Sequence, residues 1–545
     1  MQSANQKLFL FTILGALALG VSFPFTGGVF PLAFIALVPL LLFNAGLNEE
    51  GVKRRFLKRL GTNYLYFVIF NAITVWWIYN ASDAGAYMAI FANALLMCLP
   101  FHITAFLAKH LGEGKGLLSF LVLWMSFEYC HYHWELSWPW LNLGHILGDS
   151  PMLIQWYEYS GVAGGTLWIL LTNIVVYIIV RNVWLRKESV KIQTPILLFS
   201  ALAVVFPILS SIIIYSSYTE DQSQPVDITI VQPNIESHNA KFSLPSAIQL
   251  NKLLIAAESK IDENTDLILA PETAIPYPIN EELLDVHPDY LGLLEFIRTH
   301  HQIPLLIGAD TYQIYPEKHS PASTPYGPDW YENYNTALLI QANNPKTIYH
   351  KAKLVLGGEK LPFVGMFPFL QEYSVELGGT SGMLGVGEEP VVFDAKGVKY
   401  APLICYESVY GDYVSMFVRQ GATVLTVITN DGWWGDTPGY KQHRMFSQIR
   451  AIENRRYVAR SANTGISCFI DPKGEVISEL GWDEYGALRE VVYEQKEITF
   501  FAKYGDFLGR ISAYLALAMM LYGFVERLKK LPYFEKINAG SKSDN

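Results

Sequence analysis

The sequence predicts a polytopic α-helical membrane domain with eight spans, joined to an α/β globular domain. Long apolar runs recur through the first 220 residues and once more near residue 515; a bilayer core of about 30 Å requires roughly 20 such residues per helix. Hydrophobic residues make up 51% of the chain, charged residues only 17%, and mean hydropathy is +0.21. The segment between the last two apolar runs instead alternates short β-rich and helical stretches, which is typical of an α/β domain.

Charge and cysteine content exclude several classes of protein. The chain has 40 Lys and Arg against 50 Asp and Glu, a net charge of −10, which excludes a generally basic nucleic-acid-binding protein. Its four cysteines include no Cys-x-x-Cys pair, so neither a disulfide scaffold nor a cysteine-rich zinc site is expected. We therefore expect no nucleic-acid partner.

Each predicted span is an apolar run of membrane length. The eight runs cover residues 8–25, 27–46, 61–80, 87–108, 117–134, 163–180, 195–217 and 507–526. The first run has no small-residue cleavage site before the second, so it is expected to remain as an anchor and not to be removed as a signal peptide.

Loop charge predicts the orientation of these spans. Basic side chains follow every second span: Lys53, Arg54, Arg55, Lys58, Arg59, Lys109, Lys115, Arg181, Arg186, Lys187, Lys191, Arg527, Lys529 and Lys530. The alternate connections, 81–86 and 135–162, contain neither Lys nor Arg. Because basic loops are retained in the cytoplasm, both termini are expected there, in a bacterial inner membrane, with the α/β domain on the periplasmic side.

This topology divides the chain into four parts. We expect a membrane domain over 1–220, an external catalytic domain over 225–500, the final span at 507–526 and a cytoplasmic polar tail over 527–545. In the external part, strands are predicted at 227–231, 267–270, 304–309, 336–341, 400–404 and 423–429, and helices near 243–262, 281–299, 409–420 and 440–460.

Three motifs with reactive side chains follow predicted strands of the external domain. Glu272 lies in LILAPETAIP, Lys351 in YHKAKLVLGGEK and Cys405 in APLICYESVY. A strand, a nucleophile and then a helix is the order that exposes a reactive atom at a sharp turn. A carboxylate can deprotonate a thiol, and an ammonium group can stabilise the oxyanion formed when the thiolate attacks a carbonyl.

Taken one at a time, these residues also have structural interpretations. Cys405 could be a small buried hydrophobe, Glu272 a solvated turn residue and Lys351 a surface charge. Of the other cysteines, Cys468 in the apolar strand 466–470 is expected to be a core residue, and Cys98 and Cys130 are expected to pack within or near spans.

Taken together, the three motifs resemble the nitrilase superfamily. The order Glu272, Lys351, Cys405 and the stretch TNDGWWGDTPGYKQHRMFSQIRAIENRRYVARSANTGISCFIDPKGEV are similar to that superfamily, whose fold is an αββα sandwich and whose members use a Glu–Lys–Cys triad. With seven spans before the domain and one after, and with SFPFTGG and PWLNLGH between them, the chain resembles its membrane-bound branch, the N-acyltransferases of bacterial lipoprotein maturation.

The resemblance assigns roles to individual positions. It implies that Glu272 is the general base, Lys351 the oxyanion-stabilising group and Cys405 the acyl-accepting nucleophile. The supporting positions that it implies are Glu359 near the lysine, Tyr406 and Glu407 beside the nucleophile, Asn335 in YNTALL, and Phe242 as a substrate-binding aromatic residue where the family often has Trp. The chain departs from the family in having LVLGGEK where LVPFGEF is expected, and His131 where Arg is expected.

The same resemblance implies the reaction. An acyl chain would pass from a phospholipid to the Cys405 thiol, and from the thioester to the α-amino group of a diacylglyceryl-apolipoprotein. It implies no metal and no organic cofactor, and we expect a monomer whose partners are the two lipid substrates and the bilayer.

Two other classes remain open. One is a membrane-tethered nitrilase-type amidase or hydrolase, which would pass the thioester to water. The other is a transporter or channel, against which no span shows matched half-helices or a paired set of ionisable groups.

Polar residues within the predicted spans have a structural interpretation and a functional one. His102, His131 and His133 could suggest a metal site, but they lack a supporting acidic cluster, so packing roles are favoured. A buried Glu128 would be costly in lipid, so it is expected to face the protein or a wet surface, and a role at a lipid headgroup remains open.

Overall fold

The structure, a computed structural model, describes residues 2–48, 53–189, 193–343, 346–367, 369 and 383–530. The predicted basic residue Lys191 and the predicted tail beyond residue 530 lie outside these ranges.

The first part of the described chain is helical. Its α-helices are α1 (Gln2–Ser22), α2 (Ala33–Ala36), α3 (Val38–Gly46), α4 (Arg55–Val75), α5 (Asp83–Tyr87), α6 (Asn93–Met97), α7 (Leu99–Leu111), α8 (Glu113–His133), α9 (Tyr157–Val180) and α10 (Thr194–Ser217). A 3₁₀ turn over Trp76–Asn80 continues α4, and α9 is kinked at Gly161, whose φ of 60° departs from helical geometry.

Four stretches of the described chain are long and apolar enough to cross a membrane. They are Asp83–Leu111, Tyr157–Trp184, Thr194–Ser217 and Phe507–Lys529, and shorter apolar helices cover Gln6–Ser22 and Phe30–Gly46. Helices α4 and α8, at the third and fifth predicted spans, carry buried polar side chains, among them Arg59 and Glu128. The chain is therefore a membrane protein with a helical domain, and the full count of eight spans stays a prediction.

Glu128 joins three segments of this helical domain. Its Oε1 accepts hydrogen bonds from Trp124 Nε1 and Leu143 N, both at 2.9 Å, and its Oε2 accepts one from Thr166 Oγ1 at 2.6 Å. The side chain is buried, so the carboxylate faces the protein, as the sequence indicated.

The second part of the chain contains the strands. They are β1 (Pro225–Gln232), β2 (Leu267–Leu269), β3 (Ile275–Asn280), β4 (Leu305–Tyr315), β5 (Thr324–Tyr326), β6 (Asp329–Ile340), β7 (Thr347–His350), β8 (Phe393–Ala395), β9 (Val398–Ile404), β10 (Val424–Thr429), β11 (Val458–Ala462), β12 (Ser467–Ile470), β13 (Val476–Leu480) and β14 (Gly486–Tyr493). The helices are α11 (Ala240–Ser243), α12 (Ser246–Glu258), α13 (Pro288–Thr299), α14 (Gly411–Arg419), α15 (Pro438–Asn454), α16 (Phe500–Tyr504) and α17 (Phe507–Lys529).

Two sheets face each other in this second part. One has the strand order β14-β1-β2-β4-β6-β5, with β3 beside β4 and β7 beside β6; the other has the order β13-β12-β11-β10-β9-β8. Strands β9, β10 and β11 are parallel, so their carboxyl ends meet at one edge. Helix α12 packs on the first sheet, and α14 and α15 pack on the second, which produces four layers in the order helix, sheet, sheet, helix.

Two predicted helices differ from those observed. The helix predicted over 440–460 ends at Asn454, because Arg455 adopts a left-handed backbone (φ 48°) that terminates it. The helix predicted over 281–299 is interrupted, because Pro288 keeps the residue before it out of the helical region. The end of the first helix and the continuity of the second were therefore wrong in the sequence-based prediction.

One side chain of the α/β part bonds to three points of the helical part. Gln442 Nε2 donates to the carbonyls of Pro24 (3.2 Å) and Thr74 (3.3 Å), and Gln442 Oε1 accepts from Trp140 Nε1 at 2.8 Å. Gln442 is fully buried. The two parts of the molecule therefore share one interior.

Candidate active site

Cys405 lies at the sharp turn that ends β9. Its φ of 50° places it in the left-handed region, which costs a residue other than glycine about 1–3 kcal/mol and is often found at functional sites. A short 3₁₀ helix, Cys405–Val409, leads from this turn towards α14. Glu407 Oε2 accepts a hydrogen bond from Ile404 N at 2.8 Å, which holds the turn closed.

Two carboxylates share one lysine beside this turn. Lys351 directly follows β7, and its Nζ lies 3.2 Å from Glu272 Oε1 and 2.8 Å from Glu359 Oε1. Asn335 Nδ2 donates to the same two oxygens, at 2.7 and 3.2 Å. The other oxygen of Glu272 accepts from Asn430 N, beyond β10, at 3.0 Å. Glu272 therefore joins the two sheets at the edge where Cys405 lies.

These contacts determine the ionisation of the cluster. Burial alone would raise the pKa of Glu272, but the Lys351 charge and the Asn335 hydrogen bond hold that pKa below its usual value. Burial lowers the pKa of Lys351, but Glu272 and Glu359 outweigh it and raise that pKa well above the ordinary value. At neutral pH the site therefore contains a carboxylate able to accept a proton and a positively charged ammonium group.

The Cys405 thiol, in contrast, tends to stay in its neutral form. Burial raises the pKa of Cys405, the Glu272 charge raises it further, and Lys351 lowers it in part. The resting thiol is therefore protonated at neutral pH. An attack by this sulfur requires a base that removes its proton at that moment.

Glu407 ties the lysine strand to the nucleophile turn. Its Oε1 accepts from Tyr349 Oη at 2.5 Å and from Ala352 N at 2.7 Å, on either side of Lys351 in sequence. Glu407 is fully buried. A displacement of Lys351 relative to Cys405 would therefore break hydrogen bonds to a buried carboxylate.

A second buried polar network lies behind Cys405. His443 Nε2 is 3.1 Å from the Cys405 carbonyl oxygen, and His443 Nδ1 is 2.8 Å from Asp431 Oδ1. Arg460 donates to Asp431 Oδ2 at 2.8 Å. Burial raises the pKa of Asp431, but Arg460 and His443 hold it below the usual value. The network contacts the backbone of the turn, and Thr429 Oγ1, which donates to Asp431 Oδ1 at 3.0 Å, links it to the Cys405 side chain.

An apolar cavity of about 130 Å³ reaches Cys405 from the helical part. Most of its lining belongs to the helical part. The lining includes Trp77, Met88, Ala89 and Leu136 from that part, and Tyr406 from the α/β part. Trp138 and Trp140 stack on Tyr406 with ring centroids 6.3 and 6.4 Å away. His131 also lines the cavity. The site thus offers space for an apolar substrate directly beside the thiol.

The structure brings together seven of the eight site residues predicted from sequence. They are Glu272, Lys351, Cys405, Glu359, Tyr406, Glu407 and Asn335. Phe242 stacks on Trp433, with ring centroids 6.1 Å apart, and is absent from the lining of the cavity within the described chain. Its role in binding stays a prediction.

The loop that departs from the family pattern is closed on itself. Val355 N donates to Glu359 Oε2 at 2.8 Å, and Gly357 N donates to the Lys360 carbonyl at 2.9 Å. Gly357 has a φ of 83°, which favours glycine. The departure at LVLGGEK therefore leaves Glu359 in contact with Lys351.

Sequence reasoning missed a second buried lysine at the site. Lys241 donates to Thr273 Oγ1, and its Nζ is 3.5 Å from the Glu272 carbonyl oxygen. Burial lowers the pKa of Lys241 and raises that of the nearby Asp310 to about 7. Lys241 directly precedes Phe242, which the sequence analysis assigned to substrate binding. The sequence therefore pointed to this segment but not to the lysine.

The described residues contain no cluster of three or more His, Cys, Asp or Glu side chains arranged to hold a metal ion. His102 and His133 instead contact backbone carbonyls of their own helices, at 3.0 and 2.9 Å.

Comparisons with known proteins match both parts of the chain. Residues 15–175 match the family described as "Apolipoprotein N-acyltransferase N-terminal domain", and residues 227–495 match the family described as "Carbon-nitrogen hydrolase". The second match confirms the predicted nitrilase-like fold of the α/β domain.

Curated relatives cover nearly the full length. The chain is 30% identical to the apolipoprotein N-acyltransferase of Chlorobaculum tepidum over 96% of this chain and 97% of that protein. It is 25% identical to the protein of that name from Geobacter metallireducens, over 91% and 92%. A solved amidase of the nitrilase superfamily from Nesterenkonia is 17% identical, with a TM-score of 0.37, over 53% of this chain and 98% of that one.

Proposed function

This chain belongs to the apolipoprotein N-acyltransferase family, and from that premise we propose that Cys405 carries an acyl chain between two lipid substrates. The enzyme is a membrane acyltransferase, with a phospholipid as donor and a lipoprotein as acceptor. The proposal concerns the residues and steps of the transfer. It rests on the cavity that places apolar space beside a protonated thiol, a carboxylate and an ammonium group.

In the first half-reaction the donor is cleaved. Glu272 takes the proton from Cys405 Sγ as the sulfur attacks the ester carbonyl of the phospholipid, and Lys351 stabilises the resulting oxyanion. When the tetrahedral intermediate collapses, the ester C–O bond breaks, and Glu272 returns the proton to the departing alkoxide. The products are an acyl thioester on Cys405 and a lysophospholipid.

In the second half-reaction the acceptor takes the acyl chain. The α-amino group of the diacylglyceryl-cysteine attacks the thioester carbonyl, Lys351 again stabilises the oxyanion, and Glu272 accepts a proton from the nitrogen. The C–S bond then breaks, the sulfur recovers its proton, and an amide is formed. Both half-reactions thus use the same base and the same cation.

The neighbouring residues keep these groups in place. Glu359 and Asn335 hold Lys351 and Glu272 through the contacts described above, and Glu407 fixes the turn that carries the nucleophile. Tyr406 contributes to the cavity wall. These are positioning roles, so their loss is expected to slow the reaction without removing a reacting group.

The acyl-enzyme gives the most direct test. Purified protein incubated with phospholipid and no acceptor should gain the mass of one acyl chain on Cys405, and a diacylglyceryl-cysteine peptide should discharge it as an amide. Release of free fatty acid at the same rate with and without the peptide would instead indicate a hydrolase.

We further infer that the chain is a monomer with eight spans, cytoplasmic termini and a periplasmic catalytic domain. The loop charges support this orientation. In a background with the exposed Cys130 replaced by serine, Glu317→Cys should react with a membrane-impermeant thiol reagent in cells with a permeabilised outer membrane, and Lys115→Cys should not. The reverse pattern would invert the topology. Light scattering of the purified protein should give the mass of one chain.

A further inference from the structure

A second, larger cavity lies at the other end of the helical domain. Its volume is about 1030 Å³. Helix α8 connects the two regions: Glu113 at its start lines the larger cavity, and His131 near its end lines the cavity at Cys405. These two residues are about 27 Å apart along the helix, and the two linings come closer at Leu96 and Phe101 but share no residue. The larger cavity, called here the basic cavity, is therefore separate from the active site.

Positive charge dominates the wall of the basic cavity. Five cationic side chains line it, Arg55, Arg59, Lys109, Arg181 and Arg186, against one carboxylate, Glu113. Glu113 already pairs with Arg181 and with Arg186, the latter at 2.9 Å. Glu113 therefore compensates part of this positive charge within the described wall.

Two of these cations have no carboxylate partner among the described residues. Arg59 is buried, and its guanidinium donates to the side-chain oxygens of Asn44 (3.0 Å) and Asn48 (2.9 Å), which are neutral. Lys109 has no carboxylate within 4.0 Å in the described chain, and its side chain is exposed. An anion in the cavity would supply the missing negative charge.

The rest of the wall is amphipathic. Phe56, Phe106 and Leu117 contribute apolar surface. The polar part of the wall includes the Asn44 and Asn48 side chains beside Arg59.

We propose that the basic cavity binds an anionic phospholipid of the cytoplasmic leaflet. The phosphate lies at Arg59 and Lys109, and an acyl chain lies along the apolar wall. Basic pockets between membrane helices on the cytoplasmic side suit lipid headgroups of this kind. A soluble phosphate could use the cations but not the apolar wall, which favours the lipid. This site is independent of the chemistry at Cys405.

Two glycines provide a matched test. A Cβ atom built at Gly46, which lines the basic cavity, meets no heavy atom within 4 Å, and the same is true at Gly61 on α4, outside the lining. Gly46→Trp should fill the cavity without a clash at its Cβ atom, and Gly61→Trp is the control. The full-length enzyme is titrated with phosphatidylglycerol or with phosphatidylcholine of the same acyl chains, and bound lipid is measured by native mass spectrometry.

The expected result is selective loss of binding. Wild type and Gly61→Trp should retain phosphatidylglycerol in preference to phosphatidylcholine, and Gly46→Trp should lose this preference. Acylation of Cys405 should be the same in all three. Equal retention of the two lipids by wild type, or an unchanged preference in Gly46→Trp, would overturn the proposal. Displacement of the lipid by millimolar inorganic phosphate alone would also overturn it, because it would show that the apolar wall contributes nothing.

A second pair of variants tests how much the positive charge contributes to lipid binding. Lys109→Gln should weaken phosphatidylglycerol binding about fivefold, the loss expected for one basic residue near a lipid surface. Lys115→Gln removes an exposed lysine from the same end of the domain, outside the lining, and should leave the affinity unchanged. Equal losses from both substitutions would indicate a general surface attraction and no site.

Discussion

The two sides of Cys405 differ in almost every physical property. On one side, Glu272, Lys351 and Glu359 form a buried ionic cluster in which donors and acceptors meet within 3.2 Å. On the other, the cavity wall is composed mostly of aromatic and aliphatic side chains from the helical domain. The thiol therefore lies between the proton-transfer groups on one side and space for a lipid chain on the other.

Each side compensates for a different cost. Burying a charged group is unfavourable unless it is paired and hydrogen-bonded, so the polar side needs the α/β sheets to fix several partners at once. The transfer of an acyl chain from lipid to water costs about 0.8 kcal/mol per CH₂, so the other side needs apolar walls continuous with the membrane domain. Neither part of the chain could provide both.

Removal of the sulfur should have the largest effect, because both sides converge on it. Cys405→Ala should abolish thioester and amide formation, as measured by intact mass and product assay. Cys468→Ala is the matched control, since that thiol is fully buried in β12. Comparable losses from two folded variants would show that the wrong cysteine was assigned.

Disruption of the polar side alone should also have a large effect, whether the lysine or the carboxylate is replaced. Lys351→Met should slow acylation and aminolysis by about 10²–10³-fold, the usual cost of losing an oxyanion donor. Lys351→Arg should not restore the rate, because a planar guanidinium replaces a compact ammonium. Single-turnover kinetics with preformed acyl-enzyme separates the two steps.

Loss of the Glu272 carboxylate, on the polar side, should already slow the first step, acylation of Cys405. Glu272→Gln should slow acylation of Cys405 by about 10²–10⁴-fold even with phospholipid in excess, because the protonated thiol lacks its proton acceptor. Acylation of this variant at the wild-type rate would make Glu359 the next candidate.

Filling the apolar side should change substrate preference more than rate. Ala89 is buried in the cavity wall, and Ala89→Phe should reduce kcat/KM for long-chain phospholipids while short-chain donors react nearly as before. Burial of each CH₂ contributes about 0.8 kcal/mol, so the loss of two methylene contacts should lower kcat/KM for these donors roughly tenfold. Ala201→Phe, on the exposed surface of α10, is the control and should leave the chain-length profile unchanged.

The smallest effect should be a shift in the ionisation of the thiol. Because the Glu272 charge raises the pKa of Cys405 and the Lys351 charge lowers it, the two neutralising substitutions should act in opposite directions. The pH midpoint for alkylation of Cys405 by iodoacetamide should fall in Glu272→Gln and rise in Lys351→Met. Shifts of the same sign would mean that the two charges do not both act on this sulfur.

The sequence was most informative where local order determines position. Glu272, Lys351 and Cys405 each lie just beyond a strand, and strands of a sandwich bring such ends to one edge, so their proximity could be predicted from the motifs. His443 could not be placed in this way, because its contact with the turn at Cys405 depends on how α15 packs on the second sheet. Two partners of Glu128, Leu143 and Thr166, were equally inaccessible, since they come from other segments that only tertiary packing brings to α8.

The hydrogen bonds of Gln442 bear on how separable the catalytic domain is. An excised α/β domain would lose the two carbonyls and the indole that satisfy this buried amide, and would expose the apolar surface that now faces the helical domain. Such a fragment would be prone to aggregation. The hydrolase-type domain here is consequently not a portable module, and chimeras between relatives should tolerate exchange of surface loops more readily than exchange of whole domains.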